Sequence, residues 1–354
     1  MRAARVHTHL YGRVPLFYRT AGHAEGWHDA AMYPIHRILV AIKDPRARSH
    51  AALDKTALLA RALGAEVCLF HAIADPIYID AAGTMAQVYP DFEQGHCDWY
   101  RQRLESLARR LRRRGIKTST AVTWDFPVCE SIIRQAAHIE ADLIVAECHP
   151  TAHHAPWLVR FTDWELLRLS PVPVLLVKSR RGYHRPRILA ALDPTHASAK
   201  PADLDEEVLR YAGTVTDALH GTLHAVHAYE PTVDCAADSP RRRVPGRVTL
   251  VNAAWRARSV LQEALRSNDI PEGRRHLVPL HPAQAIEEVA REIDSGIVVM
   301  GAMSRSGLSR LLIGNTAERV LDQLRCDVLV VKPRNFRNLI ARQRRGVQMI
   351  ALPA

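Results

Sequence analysis

No apolar run in this chain approaches the roughly 18 residues that a membrane-spanning helix requires. Aromatic residues make up only 6% of it, and no basic strand interleaves aromatics in the way that stacks nucleic-acid bases. The six cysteines (Cys68, Cys97, Cys129, Cys148, Cys235 and Cys326) stand singly, without a CxxC pair. That spacing leaves reduced, mostly structural thiols as the expectation. There is no GxxxxGK[ST], GxSxG, HExxH or GxGxxG. P-loop, nucleophile-elbow, zinc-protease and dinucleotide-fingerprint chemistry are thereby excluded in their usual forms. The first 31 residues contain scattered arginines but no continuous apolar core followed by a small-residue cleavage site, so a cytoplasmic location is expected.

What the chain does have is length and positive charge. Its 354 residues, 47% hydrophobic, suffice for about two domains. The net charge of +11 is concentrated locally, in RRLRRRG (109–115), RRR (241–243) and RNFRNLIARQRR (334–345), the last with five arginines and no acid. Basic helix ends complement the helix macrodipole and charge runs are commonly solvated, so a nucleic-acid partner is not expected.

The sequence also repeats itself. HRILVAIKDP (36–45) returns as PRILAALDP (186–194), GAEVCLFHAI (64–73) as HGTLHAVHAY (220–229), ADLIVAECHP (141–150) as SGIVVMGAMS (295–304), and SPVPVLLVK (170–178) as RCDVLVVKP (325–333). A spacing of about 150 residues makes each copy a domain. Short Val/Ile/Leu runs predict strands at 37–42, 66–72, 118–123, 142–147 and 173–177, and again at 187–192, 222–228, 275–280, 296–300 and 327–331. Continuous apolar runs mean strands covered on both faces, hence a parallel sheet between helices. The expected fold class is α/β, two tandem Rossmann-like domains, each a five-stranded parallel sheet. Each copy also carries a long insert between its second and third strands, a plausible contact surface.

With RILVAI, TDWELLR (162–168) and GIVVMGAMSRSGLSRLLIGNTAERVLDQLRCDVLVVKP (296–333) in view, the chain resembles the universal stress protein family in its tandem form, over about residues 32 to 335. The resemblance implies an adenine-nucleotide-binding fold with strand order 3-2-1-4-5, and a nucleotide loop after the fourth strand. That loop runs Gly, two residues, Gly, nine residues, Gly, then Ser or Thr. Here those places hold Gly301, Ser304, Gly314 and Asn315, so two of the four depart. Glycine lets backbone amides close on a phosphate, and Ser304 adds a side chain there. Asn315 retains the helix start, with Thr316 and Glu318 completing a capping-box pattern, and Thr316 supplies a hydroxyl. Arg305 adds positive charge in the loop. Asp193, at the end of the second copy's first strand, stands where the family's aspartate meets the nucleoside; its bland reading is a turn residue before Pro194.

In the first copy Glu147, Pro150 and Arg160 replace the loop glycines, so no nucleotide is expected there. His149, His153 and His154 lack a cysteine or carboxylate set nearby, and solvated histidines are the expectation. His71 and His227 occupy equivalent places on the two second strands. Four units follow: an extension (1–31) outside the folded body, domain one (32–182), domain two (183–335) and a basic tail (336–354). The resemblance implies a stress-response protein that acts by binding; the missing motifs argue against an enzyme, with slow nucleotide hydrolysis left open and no residue placed as its base. Its cofactor would be ATP or another adenine nucleotide, with no metal beyond nucleotide-associated Mg. The alternatives are a scaffold for another small ligand or a protein partner and, more weakly, RNA contact. The two copies are expected to pair within the chain, with homodimerisation open.

Overall fold

A computed structural model describes residues 34–79, 85–148, 162–195, 203–229, 247–302, 315–337 and 340–351. The first half runs β1 (Arg37–Ala41), α1 (Ala51–Leu63), β2 (Glu66–Ile73), β3 (Ile77–Ile79), α2 (Met85–Arg112), β4 (Thr118–Trp124), α3 (Val128–His138), β5 (Leu143–Glu147), α4 (Thr162–Leu169) and β6 (Val174–Val177). The second runs β7 (Arg187–Leu192), α5 (Leu204–Ala218), β8 (Thr222–Ala228), α6 (Arg247–Ala264), β9 (Arg275–Val278), α7 (Pro282–Glu292), β10 (Ser295–Gly301), α8 (Asn315–Gln323) and β11 (Asp327–Val331), and β12 (Met349–Ala351) follows. Residues 1–31, assigned from sequence to an extension, lie outside the described residues.

Central strands are apolar throughout because both faces are covered. Ile38 and Val40 of β1 point into a layer with Leu53 and Leu59 of α1, Leu104 of α2, Val208 of α5 and Leu261 of α6. Leu39 between them faces the opposite layer, with Ile132 of α3, Leu166 of α4, Ile286 of α7 and Val320 of α8. The result is a three-layer α/β/α body. Among the described residues, no helix is long and apolar enough to cross a membrane.

Each half has the expected order 3-2-1-4-5, yet the halves do not form separate sheets. They share one ten-stranded sheet, β4-β2-β1-β5-β6-β11-β10-β7-β8-β9. At the seam β6 and β11 run antiparallel, with Val174 opposite Val330, Leu175 opposite Leu329 and Leu176 opposite Val328. Both strands are wholly buried, so either alone would be an exposed hydrophobic edge. Intrachain pairing of the copies covers it.

The linker between the halves is tied to the seam by Asp327, which is fully buried. Its Oδ1 accepts the Lys178 and Ser179 amides at 2.9 Å, and its Oδ2 accepts the Tyr183 hydroxyl at 2.6 Å and the Lys55 ammonium of α1. Lys178 in turn donates to the Leu321 and Leu324 carbonyls at the end of α8.

The chain past β11 returns to the first half. Arg345 grips Glu130 bidentately, at 2.8 and 2.6 Å, and the Arg345 and Gly346 amides donate to the buried Asp125 at 3.0 and 2.9 Å. β12 then pairs with β3. The arginine-rich run read from sequence as a basic tail is, from Ile340 on, a strap: Arg345 meets Glu130 of α3, Arg344 meets Glu93 of α2 at 3.2 Å, and two of its amides meet Asp125 in the turn before α3.

Candidate functional site

Because the seam is antiparallel, the carboxyl ends of the two halves' strands lie at opposite ends of the sheet. Ligands of open α/β sheets sit outside those ends, beside the strand where the order reverses. Each half therefore offers one crevice of its own.

In the second half, Asp193 follows β7. Its amide donates to both carboxylate oxygens of Asp205 on the first turn of α5, at 3.2 and 3.1 Å, and Thr195 Oγ1 donates to its Oδ1 at 3.0 Å. Gly301 ends β10 beside it. A Cβ at Gly301 would stand 2.6 Å from Leu204 Cδ2, so the missing side chain seats the first residue of α5. Sequence reasoning gave that glycine to phosphate approach; the packing of Leu204 is a sufficient reason for it. Asn315 and Thr316 open α8, where a helix start was expected, though their side chains lie outside the described residues. So do Ser304, Arg305 and Gly314. The structure therefore places Asp193 and Gly301 at the ends of neighbouring strands, β7 and β10, with α8 starting later in the chain at Asn315.

Two groups in this crevice were missed or underread. His227 on β8 is 1% exposed, with Nδ1 at 3.3 Å from the Leu192 carbonyl that ends β7. Burial lowers its pKa, which favours the neutral ring. A nitrogen facing a carbonyl must carry the proton, which leaves Nε2 an acceptor. That atom is buried and has no hydrogen-bond partner among the described residues. Lys332, just past β11, donates to the Ala302 carbonyl at 2.8 Å and lies over the Phe336 ring at 5.0 Å. Burial pushes its ammonium down to about 8. The signal was present in the sequence, a lysine directly after a Val/Leu strand at the place of Lys178, but its depth of burial was not.

A lysine whose folded pKa falls below its unfolded value costs stability while it stays charged. That cost is fully present below pH 8, and it is relieved as pH rises from about 8 towards 10.5. Lys332→Met should therefore raise stability at pH 7 by about 2 kcal/mol, the desolvation relief less one lost hydrogen bond. Urea unfolding at pH 7, 8.5 and 10 checks it: the parent gains stability across that range and the variant does not. A destabilised variant at pH 7 would mean that the Ala302 contact outweighs desolvation.

The first half fills its own crevice. Glu147, at the place of Gly301, turns its Oε1 to the Ala52 amide at 2.9 Å, satisfying the start of α1 with a carboxylate. His71, the counterpart of His227, has Nδ1 at 2.7 Å from the Ile42 carbonyl, but its ring packs on Tyr100 of α2 with centroids 4.5 Å apart. His96 lies 4.9 Å from Trp124, Trp99 meets Tyr100 edge-on at 4.8 Å, and the Arg46 guanidinium covers Trp99 at 4.7 Å. Val347 of the strap closes this cluster. Pro150, Arg160, His149, His153 and His154 lie outside the described residues.

Elsewhere burial raises the pKa of Cys129 to about 12 and of Cys148 and Cys326 to about 11, so these thiols are protonated packing groups. His224 and His276 on adjacent strands stand 3.1 Å apart, nitrogen to nitrogen, a contact between β8 and β9 that the sequence pattern did not show. Among the described residues, no group of three or more His, Cys, Asp or Glu is arranged to hold a metal ion.

The family model of the universal stress protein family matches residues 34–178 and again 185–332, one match on each half. The chain belongs to the universal stress protein family. As a tandem universal stress protein it is 30% identical to universal stress protein E of Salmonella typhi over 318 residues, covering 86% of this chain and 96% of the relative. It is 28% identical to universal stress protein E of Escherichia coli strain K12 over 314 residues, with the same coverage. A functionally unknown protein from Pseudomonas aeruginosa PAO1 has a similar structure, with a TM-score of 0.65, 25% identity, and coverage of 85% of this chain and 94% of that one. A universal stress protein from Archaeoglobus fulgidus, 18% identical, shares the fold with a TM-score of 0.59 over 86% of this chain and all of that one.

Proposed function

We propose that this universal stress protein acts by binding an adenine nucleotide in the crevice of its second half, without catalytic turnover. The first half serves as a structural partner. The observation that carries this is the contrast between the equivalent histidines. His71 is packed under Tyr100, whereas His227 presents a buried acceptor, unpartnered among the described residues, at the end of the strand next to Asp193. A buried acceptor without a donor is costly unless something supplies one. The exocyclic amine of adenine is such a donor. Asp193 would meet the ribose, and the loop with Ser304, Arg305 and Gly314, leading to Asn315 and Thr316 at the start of α8, would meet the phosphates.

Calorimetric titration of the full chain with Mg-ATP should show a saturable site whose affinity changes with substitutions in the second-half crevice. Ser304→Gly should tighten it about fivefold, because removing the side chain lets the backbone close on phosphate. Gly314→Val and Asp193→Ala should weaken it, and His227→Phe should remove preference for ATP over GTP. Absence of saturable binding, or affinity indifferent to all four substitutions, would overturn the reading. The scaffold alternative would then lead, since Trp255 of the second insert is 68% exposed on α6.

A further inference from the structure

A cavity of about 1080 Å³ lies at the other end of the second half, where the linker crosses the amino ends of β7, β10 and β11. It is bounded by Lys55, Arg181, Arg185, Arg187, Arg291 and Arg325, against two carboxylates, Glu287 and Asp294. Two of the cations are already neutralised. Lys55 pairs with Asp327, and Arg181 with Asp294 at 2.9 and 3.2 Å. Arg185, Arg187, Arg291 and Arg325 have no carboxylate partner among the described residues; Arg187 donates only to the Ile293 carbonyl, at 3.0 Å. Glu287 is then the remaining acid, so four unpaired guanidiniums surround one concavity with a single countercharge.

The walls are fixed before any ligand arrives. Pro186 wedges against two strand starts that tolerate it only because they are glycine: a Cβ at Gly221 would come within 2.4 Å of the Pro186 carbonyl oxygen, and one at Gly296 within 2.8 Å of the Pro186 Cβ. Asp327 anchors Lys178, Ser179 and Tyr183 on the linker's other side. Arg185 is held with φ at 46°, in the left-handed region that non-glycine residues seldom occupy. Like charges gathered on a rigid frame repel one another, and an anion relieves that repulsion without ordering the protein. Guanidinium forks match phosphoryl oxygens bidentately, and a bounded cavity of this volume suits a small molecule, not a polymer.

We infer that this linker cavity binds a small oligophosphate, the chemistry shared by inorganic tripolyphosphate and the phosphate tail of a nucleotide, at a site separate from the second-half crevice. The test is calorimetric titration of the full chain with sodium tripolyphosphate, inorganic phosphate and CTP in turn. Tripolyphosphate should bind saturably at one site, at least tenfold more tightly than inorganic phosphate, with affinity falling as salt is raised. The double variant Arg291→Gln, Arg325→Gln should weaken it at least tenfold, and Glu287→Gln should tighten it. Arg291 and Arg325 are exposed and Glu287 is half-buried, and unchanged melting temperatures confirm that the variants are folded. Arg305→Gln, in the loop proposed to meet the nucleotide phosphates, should leave it unchanged. CTP binding more tightly than tripolyphosphate identifies a nucleotide as the source; equal binding identifies the phosphate chain alone. Absence of saturation, binding unaffected by the double variant, or binding lost with Arg305→Gln overturns the inference.

Discussion

Replacing Asp327 by alanine should lower stability by about 4 kcal/mol and the melting temperature by roughly 10 °C, the largest loss expected of any single substitution in this chain. The carboxylate is fully buried, and its partner Lys55 has a side chain only 3% exposed. Removing the acid strands an ammonium, a tyrosine hydroxyl and two amides in a place water does not reach. Burial and the neighbouring carboxylate already hold the Tyr183 hydroxyl far above its ordinary pKa, so it remains a donor in want of an acceptor. Asp327→Asn, which keeps one acceptor oxygen, should cost less than alanine but still leave Lys55 without countercharge. Denaturant melts of both variants decide it. A loss under ~1 kcal/mol for the alanine variant would show that the halves are held by the β6–β11 seam and apolar burial alone.

A chain ended at residue 337 should be nearly as badly affected, though only in its first half. Asp125 would keep Arg134 at 2.5 Å but lose two amides, and Glu130 would lose its bidentate arginine. Trp124 and the small core around it would lose Val347. Hydrogen bonds to buried charges contribute about 1.5 to 3 kcal/mol each, and the Arg345 side chain is largely exposed, so roughly 4 kcal/mol in total is expected. Hydrogen exchange should show the loss in β2, β4 and α3 and spare β7, β8 and β10. Equal exchange in both chains would mean that the strap is merely laid on the surface.

The strands were readable because each is a run of Val, Ile and Leu between helical stretches, and a doubly covered strand has no other way to be written. RILAAL and DVLVV occupy the predicted ranges to the residue, while β9 stops at Val278, two short of the expected 280. What escaped depends on distance along the chain. VLLV and DVLVV each announce a buried strand, but nothing in either says that its open edge is covered by the other, 150 residues away. RQRRGVQMIA carries no periodicity, and its meaning lies in Asp125 and Glu130, some 215 residues earlier. Gly301 shows the opposite difficulty. A motif position was legible, yet the structure supplies a packing reason for the glycine, Leu204, that a motif cannot reveal. Lys332 and His227 were visible as letters, but their chemistry comes from dehydration, a property of the finished body.

The seam also changes what mutation can reach. Two identical chains paired about a symmetry axis must make every change twice, so a residue that blocks one crevice blocks both. Here the paired copies are written separately, and Glu147 can close one end of the sheet while Gly301 stands at the other. Covalent joining has thus turned a symmetric pair into two independent drafts. One is free to fill with tryptophan, tyrosine and histidine without the other having to follow.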